Sequence, residues 1–193
     1  MRIITISREF GSGGRELGKR LADVLGYDYY DKEIIMAISK QNNLDTEYIE
    51  TTMNVPLTFS KSFYMNTMKT NLMVEEKKII EKIAEKGKDF VIVGRNADIL
   101  LQDYQPFNLF VCANLESKLQ RCIERASKEE NLTRKEYEHK MKQIDQSRRK
   151  SRQIITGKEW GNPSSYHMVI NTSGWNLKEL AFAVSEFANH YFK

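Results

Sequence analysis

The sequence has little cysteine and no long apolar run. Its two cysteines, Cys112 and Cys122, are too few for a disulfide framework and form no C-x-x-C pair of the kind that binds a metal. No apolar stretch approaches the ~20 residues that a membrane-spanning helix needs. The chain begins at Met1 without the charged leader, apolar stretch and cleavage site of a secretory signal. We therefore expect a soluble protein of a reducing compartment, most simply the cytoplasm, with no membrane partner.

The charge balance excludes a strongly basic or acidic protein. Thirty Lys and Arg residues against 26 Asp and Glu give a formal net charge of +4. This bias suits an anionic small molecule but is too weak alone to indicate a nucleic-acid binder. The three histidines are scattered along the chain without the spacing of metal ligands. A hydrophobic content of 40% argues against disorder, and 193 residues suit one domain spanning 1–193.

Short apolar runs alternate with longer helical patterns along the chain. The runs predict strands over 3–7, 27–30, 90–93, 109–112 and 168–170. A capping box, Thr133-x-x-Glu136, predicts the start of a late helix. Strands that alternate with helices predict an α/β domain, here a five-stranded, mainly parallel sheet with helices on both faces. Ligands of such sheets bind at the carboxyl ends of the strands.

A glycine cluster follows the first strand, where the chain reads S-R-E-F-G-S-G-G-R-E-L. Gly11, Gly13 and Gly14, with Ser12 between them, can turn backbone amides towards a phosphate at the start of the next helix. The alternative is a tight turn that simply needs glycine torsions. Compared with the P-loop motif G-x-x-x-x-G-K-[ST], Gly14 takes the lysine position and Arg15 takes the hydroxyl position. Arg15 could supply the missing positive charge, whereas the usual magnesium ligand stays unassigned.

Several stretches together resemble the nucleoside monophosphate kinases, and most closely the cytidylate kinase-like family. They are ISREFGSGGRELGKRLADVLGYDYYDKEII, VGRNADILL, FNLFVCANLESKLQRCIERA, the run from Asp145 to Arg152, and INTS before the last helix. The resemblance covers most of the chain except about 43–73. It implies a three-layer P-loop kinase fold with a helical lid over 133–161. It also implies that 43–73 is an insertion on the side of the phosphate acceptor.

The resemblance also implies roles for particular residues. Gly11, Ser12, Gly13 and Gly14 match the loop that holds the phosphates of the donor nucleotide. Arg15 would stand in for the missing lysine, both in binding the nucleotide and as a catalytic residue. Asp31 and Arg95 match residues of the acceptor site. Asp31 could instead only cap the following helix, and Arg95 could be a surface cation.

Two further arginines match the lid of these kinases. Arg148 and Arg152 are four residues apart, so on a helix they share one face and could close together on the transferring phosphate. Their alternative is a solvated cationic face. The chain departs from the family at Asn96 and Arg149, which replace aspartates, so recognition of cytidine itself is left open.

The resemblance implies an enzyme that uses ATP and Mg²⁺ to phosphorylate a nucleoside monophosphate, most simply CMP or dCMP. Two alternatives stay open: a non-catalytic nucleotide-binding regulator with a degenerate P-loop, and a kinase of another small phosphate acceptor. A nucleic-acid partner is disfavoured because Glu136, Glu138 and Asp145 dilute the cluster at 148–152 and no aromatic series accompanies it. The expected partners are small-molecule nucleotides, whereas the oligomeric state is left open.

Overall fold

The computed structural model describes residues 1–35, 74, 77–94, 96–126 and 132–193, so the predicted insertion at 43–73 lies outside the described residues. The strands are β1 (Ile3–Arg8), β2 (Asp28–Tyr30), β3 (Phe90–Val93), β4 (Phe107–Cys112) and β5 (Met168–Asn171). The helices are α1 (Gly14–Leu25), α2 (Ala97–Leu100), α3 (Leu115–Glu124), α4 (Arg134–Thr156) and α5 (Leu177–Tyr191). Residues 32–35 and 77–85 are also helical.

The strands form one parallel sheet in the order β2-β3-β1-β4-β5, which confirms the predicted fold class. The central strand β1 pairs with β3, where Ile4 lies opposite Val91, and with β4, where Ile4 lies opposite Phe107. Ile3, Ile4 and Ile6 are at most 1% exposed because helices cover both faces of the sheet. This double burial explains why isoleucines occur on both faces of β1.

Alternate residues of the sheet enter two separate cores. Ile4 and Ile6 pack with apolar residues of α1 and α5, including Leu17 and Val184. Ile3 packs on the opposite face with buried residues of the 77–85 helix and of α2. Because the helices occupy the two faces, the carboxyl ends of the strands form the edge at which a ligand can bind.

Local sequence signals set the C-terminal end of α1 and the N-terminal end of α4. Helix α1 ends at Gly26, whose φ of 69° lets its amide bond to the carbonyl of Ala22. Helix α4 begins with the predicted capping box, in which the backbone amide of Thr133 donates to Glu136 Oε2 at 2.7 Å. Within the described ranges, each helix is too short or too polar to cross a membrane.

His167 is expected to make the fold less stable in mild acid. Its Nδ1 accepts the amide of Asn108 at 2.9 Å, and its ring lies against Phe107 and Tyr191. Desolvation lowers the pKa of His167 below its ordinary 6.5, so the unfolded chain takes up a proton more readily than the fold. Stability is therefore lost as the pH falls through about 6.5. Urea unfolding across that pH should show a smaller loss for His167→Gln, whereas exposed His139→Gln should behave as wild type.

Candidate phosphate-binding site

The glycine segment forms a tight loop between β1 and α1. Gly11 and Gly13 have φ values of 75° and 80°, a region that favours glycine. Ser12 is fully buried, and its hydroxyl donates to the carbonyl of Glu9 at 2.8 Å. The amides of the first turn of α1 have no intrahelical acceptor, and Gly13, the residue at the helix cap, has no side chain to accept from them. The loop therefore combines the torsions of a tight turn with amide donors suited to an anion.

The loop packs closely on two helices, so its glycines also satisfy a steric requirement. A Cβ atom at Gly13 would lie 2.8 Å from Cδ1 of Leu177 in α5. A Cβ atom at Gly11 would lie 3.0 Å from the carbonyl of Lys118 and 3.1 Å from Sγ of Cys122, both in α3. Larger residues would push the loop away from these helices.

Arg121 of α3 connects the loop to the segment after β5. Its Nη1 donates to the carbonyl of Ser12 at 3.2 Å, and its Nη2 donates to the carbonyl of Thr172 at 2.7 Å. The buried Thr172 hydroxyl donates to the same Ser12 carbonyl at 2.6 Å. Desolvation lowers the pKa of Arg121, which nonetheless stays protonated. Arg121 thus fixes the glycine loop to the segment that follows β5.

Two carboxylates hold the residues that enter the loop. Glu9 forms an ion pair with Lys118, whose Nζ lies 2.9 Å from Oε2. Asp145 of α4 accepts the backbone amide of Phe10 at 2.8 Å. Burial raises the pKa of Asp145, although the nearby guanidinium of Arg148 opposes that rise. Helix α4 is therefore attached directly to the glycine loop.

The predicted lid arginines both face the carboxyl edge of the sheet. Arg148 Nη1 donates to the carbonyl of Arg8, the last residue of β1, at 2.9 Å, and to Asp145 Oδ1 at 3.0 Å. Arg152 is 1% exposed and lies one turn further along α4. The predicted shared face is therefore present, whereas a solvated cationic face is not: Arg148 is half-buried and Arg152 is buried.

Arg152 forms a buried ion pair with Asp98 in the first turn of α2. Its Nη1 lies 2.6 Å from Asp98 Oδ2, and its guanidinium lies 5.8 Å from the centre of the Tyr166 ring. Within the described part of the chain, Arg152 Nε and Asp98 Oδ1 have no hydrogen-bond partner. The pair thus leaves one donor and one acceptor for a polar ligand or for water.

Asp31 lies after β2 and caps the helical residues 32–35. Its Oδ1 accepts the amides of Glu33 and Ile34 at 3.0 and 3.2 Å, as its helix-cap interpretation requires. Its Oδ2 accepts Arg15 Nε at 2.7 Å and the hydroxyl of Tyr29 at 3.2 Å. A role of Asp31 at the acceptor stays a prediction.

Arg15 is held by carboxylates rather than by the glycine loop. Both terminal nitrogens of its guanidinium donate to Glu33, and its Nε donates to Asp31. Hydrogen bonding to Glu33 raises its pKa further above the ordinary arginine range. Arg15 would have to exchange these partners to bind a phosphate, so its predicted phosphate contact stays a prediction.

A cavity of about 450 Å³ lies beside Arg15 and Asp31. It is lined by Arg15, Glu16, Lys19, Tyr29, Asp31, Glu33, Ile34 and Arg125. Arg95 lies outside the described residues, so its predicted acceptor contact stays a prediction. The neighbouring Asn96 has a φ of 50° and donates from Nδ2 to Ser151 Oγ of α4 at 3.3 Å.

The site fits a nucleotide phosphate better than it fits a magnesium ion. The amides at the start of α1 suit phosphate oxygens. The position at which a P-loop offers a magnesium-binding hydroxyl holds Arg15 instead. Both oxygens of Asp31 already accept two hydrogen bonds each. Within the described residues no cluster of three metal-ligating side chains occurs, so the protein ligands of a metal are not assigned.

The strand order and the glycine loop after β1 define a kinase-like nucleotide-binding protein of the P-loop type. The chain belongs to the cytidylate kinase-like family, whose model matches residues 3–174. Family and fold together support a transferase that moves phosphoryl groups. No curated protein matches the chain.

Solved structures share the fold over nearly the whole chain. An uncharacterised protein from Eubacterium ventriosum is 24% identical with a TM-score of 0.75, covering 98% of this chain and 99% of that chain. Shikimate kinase from Acinetobacter baumannii, in complex with shikimate, is 13% identical with a TM-score of 0.58, covering 99% and 94%. A sugar kinase from Janibacter sp. is 13% identical with a TM-score of 0.58, covering 98% and 95%. At these identities the likeness concerns the fold alone.

Sequence reasoning missed several residues that shape the site. No local motif marks Asp98, Arg121, Thr172 or the contact that the Asp145 carboxylate makes with the loop. For Asp98 the available signal is an aspartate directly before the apolar residues Ile99, Leu100 and Leu101. For Arg121, its contacts with Ser12 and Thr172 establish the structural role.

Proposed function

We propose that the protein transfers the γ-phosphoryl group of ATP, in the presence of Mg²⁺, to a nucleoside monophosphate, most simply CMP or dCMP. The observation that carries this proposal is the glycine loop at the carboxyl edge of the sheet, where no side chain caps the first-turn amides of α1. Membership of the cytidylate kinase-like family supports the nucleotide class of both substrates.

The donor end of the proposed site is the loop at 11–14. Its amides would hold the phosphates of ATP, which supplies the group to be transferred. Arg121, Lys118 and Asp145 would keep the loop rigid through the contacts with Ser12, Glu9 and Phe10. Such preorganised donors stabilise charge that develops during transfer without having to reorganise. Arg15 would add a cation if phosphate oxygens replaced Asp31 and Glu33 as its partners.

The acceptor end comprises Asp31, Arg95 and two arginines of α4, Arg148 and Arg152. In this proposal Asp31 and Arg95 hold the nucleoside monophosphate, while Arg148 and Arg152 approach the transferring phosphate from the lid at 133–161. Arg148 already lies over the end of β1. Closing the lid would exclude water, which competes with the acceptor for the phosphoryl group.

A nucleotide-binding regulator without transfer is the second candidate. Its support is the engagement of Arg15 with Asp31 and Glu33 together with the glycine at the lysine position. Loss of one well-placed stabilising group can lower a rate by about 10²- to 10³-fold. A P-loop altered in this way could therefore bind ATP with little turnover.

The experiment that tests the proposal measures ADP release from Mg-ATP with CMP, dCMP, UMP, AMP and GMP as separate acceptors. We expect turnover with one pyrimidine monophosphate at about 1–100 s⁻¹, the range of kinases. Arg148→Gln should lower that turnover by about 10²-fold or more, because it removes a charge from the transferring phosphate. The neighbouring exposed Arg149→Gln should stay near wild type.

The assay is paired with ATP binding by calorimetry on the same samples. ATP binding without ADP release for every acceptor would favour the regulator and contradict transfer to these nucleotides. If none of the five nucleotides is phosphorylated, the assay is repeated with other small phosphate acceptors, and ADP release with one of them would place the chain among kinases of another small molecule. If the protein neither binds ATP nor releases ADP, both candidate functions are contradicted.

A further inference from the structure

The glycine loop contains an exchange of two residues relative to the P-loop motif. When Gly13 is aligned with the second glycine of G-x-x-x-x-G-K, Arg8 takes the place of the first glycine and Gly14 takes the place of the lysine. The motif thus keeps one glycine and one cation at these two positions but in the opposite order. The positive charge that is absent at position 14 is present on Arg8, six residues earlier in the chain.

The two exchanged positions touch each other in the fold. A Cβ atom at Gly14 would lie 2.7 Å from Cβ and 3.1 Å from Cγ of Arg8. Gly14 is the first residue of α1 and has no positive φ, so its backbone would accept any residue. The Arg8 stem fills the space for its side chain, and Cβ of Val111 lies 3.3 Å from the same position. A long side chain can therefore leave this point from position 8 or from position 14, but not from both.

The guanidinium of Arg8 extends from the end of β1 to the end of β3. A Cβ atom at Gly94, directly after β3, would overlap Nη1 of Arg8 and lie 2.9 Å from its Cζ. Arg8 itself is half-buried, and its carbonyl accepts Arg148. The charged group therefore lies at the carboxyl edge of the sheet, beside Gly94.

Three other cations around the loop also make contacts within the fold. Lys118 pairs with Glu9, Arg121 holds the carbonyls of Ser12 and Thr172, and Arg15 pairs with Asp31 and Glu33. Glycines border both the stem and the guanidinium of Arg8, at positions 14 and 94. Glycine is the residue that allows a ligand or side chain to approach backbone closely.

We propose that Arg8 replaces the P-loop lysine and binds the terminal phosphates of the donor nucleotide. This inference rests on the proposed function, since it assigns a cation to the same donor site. A guanidinium offers several donors in a fork that matches phosphate oxygens, so it can do this from a different starting position.

The test exchanges the two residues back and measures binding of ATP and of inorganic tripolyphosphate by calorimetry. Arg8→Gln should weaken both ligands by about 10- to 100-fold, the effect of losing a charged hydrogen bond. Arg8→Lys should retain most of the affinity. Arg8→Gly and Gly14→Lys should each bind poorly, whereas the double variant Arg8→Gly/Gly14→Lys should recover most of the loss. Arg134→Gln, which removes an exposed arginine of α4, is the matched control.

Thermal unfolding of each variant checks that it folds. If folded wild-type protein binds ATP but Arg8→Gln binds equally well, the role of Arg8 is overturned while the proposed function stands. Arg15→Gln is measured in the same way, and a loss of affinity confined to this variant would assign the cation to Arg15 and overturn the inference as well. A folded double variant that recovers nothing would also count against it. If the wild type binds neither probe, both the inference and the proposed function are overturned.

Discussion

Asp98→Ala is expected to lower the free energy of unfolding by about 3–5 kcal/mol. The Asp98 and Arg152 side chains are 2% and 1% exposed, and 2.6 Å separates Oδ2 from Nη1. Removing the carboxylate would leave a buried guanidinium without its counter-ion, and arginine cannot escape this cost by losing its proton. Urea unfolding followed by circular dichroism measures the change. Asp103→Ala, at an exposed position in the next helical turn, is the matched control and should change stability by less than about 0.5 kcal/mol.

A double variant separates stability from function at the same pair. Asp98→Leu/Arg152→Met replaces both charges by apolar groups and should recover most of the lost stability. If Arg152 contacts the transferring phosphate as proposed, the double variant should fold but transfer poorly. A single Asp98→Ala variant as stable as the Asp103→Ala control would show that the pair has little structural importance.

Gly13→Ala is expected to abolish tight nucleotide binding, with an affinity for ATP at least about tenfold lower. An alanine at this position would have to adopt a φ of 80°, and its methyl group would lie 2.8 Å from Leu177 Cδ1. The loop would have to shift, which would turn the first-turn amides of α1 away from a phosphate. Calorimetry with ATP measures the loss.

Gly26→Ala is the matched control for this substitution. Gly26 has a similar φ of 69°, but nothing lies within 4 Å of its Cβ position. Both variants should therefore lose about 1–2 kcal/mol of stability from the left-handed torsion, whereas Gly13→Ala alone should lose ATP affinity. Equal affinities in the two variants would show that the loop at Gly13 does not hold the nucleotide.

The strands could be predicted closely because burial on both faces demands continuous apolar runs. The run at 90–93 matches β3 in full, and the runs for β1 and β5 each miss a single residue at the carboxyl end. For β4 the prediction began two residues late, at Leu109. Phe107 and Asn108 belong to the strand because they pair with Ile4 and Thr5 of β1, and pairing partners are not visible in a local pattern.

The site was predictable where a local motif carries the chemistry. The glycine loop, the capping box of α4 and the common face of Arg148 and Arg152 follow from spacing along the chain. The burial of Arg152 does not follow from spacing, because it depends on the ion pair with Asp98, which lies 54 residues earlier in the chain. In the same way, Asp31 and Glu33, which bind Arg15, come from the segment after β2. The sequence therefore suggested a phosphate contact for Arg15 without revealing these two carboxylate partners.

The chain alone thus establishes a parallel α/β domain, a phosphate-type loop after its first strand and kinship with the cytidylate kinase-like family. These properties depend on periodicity and on residues close together in the chain. Tertiary structure decides which cation belongs to which partner: Arg121 to the loop carbonyls, Arg152 to Asp98 and Arg15 to Asp31. It also brings Arg8 against Gly14 and Gly94. Such contacts depend on strand order and helix docking, which place distant segments of the chain side by side.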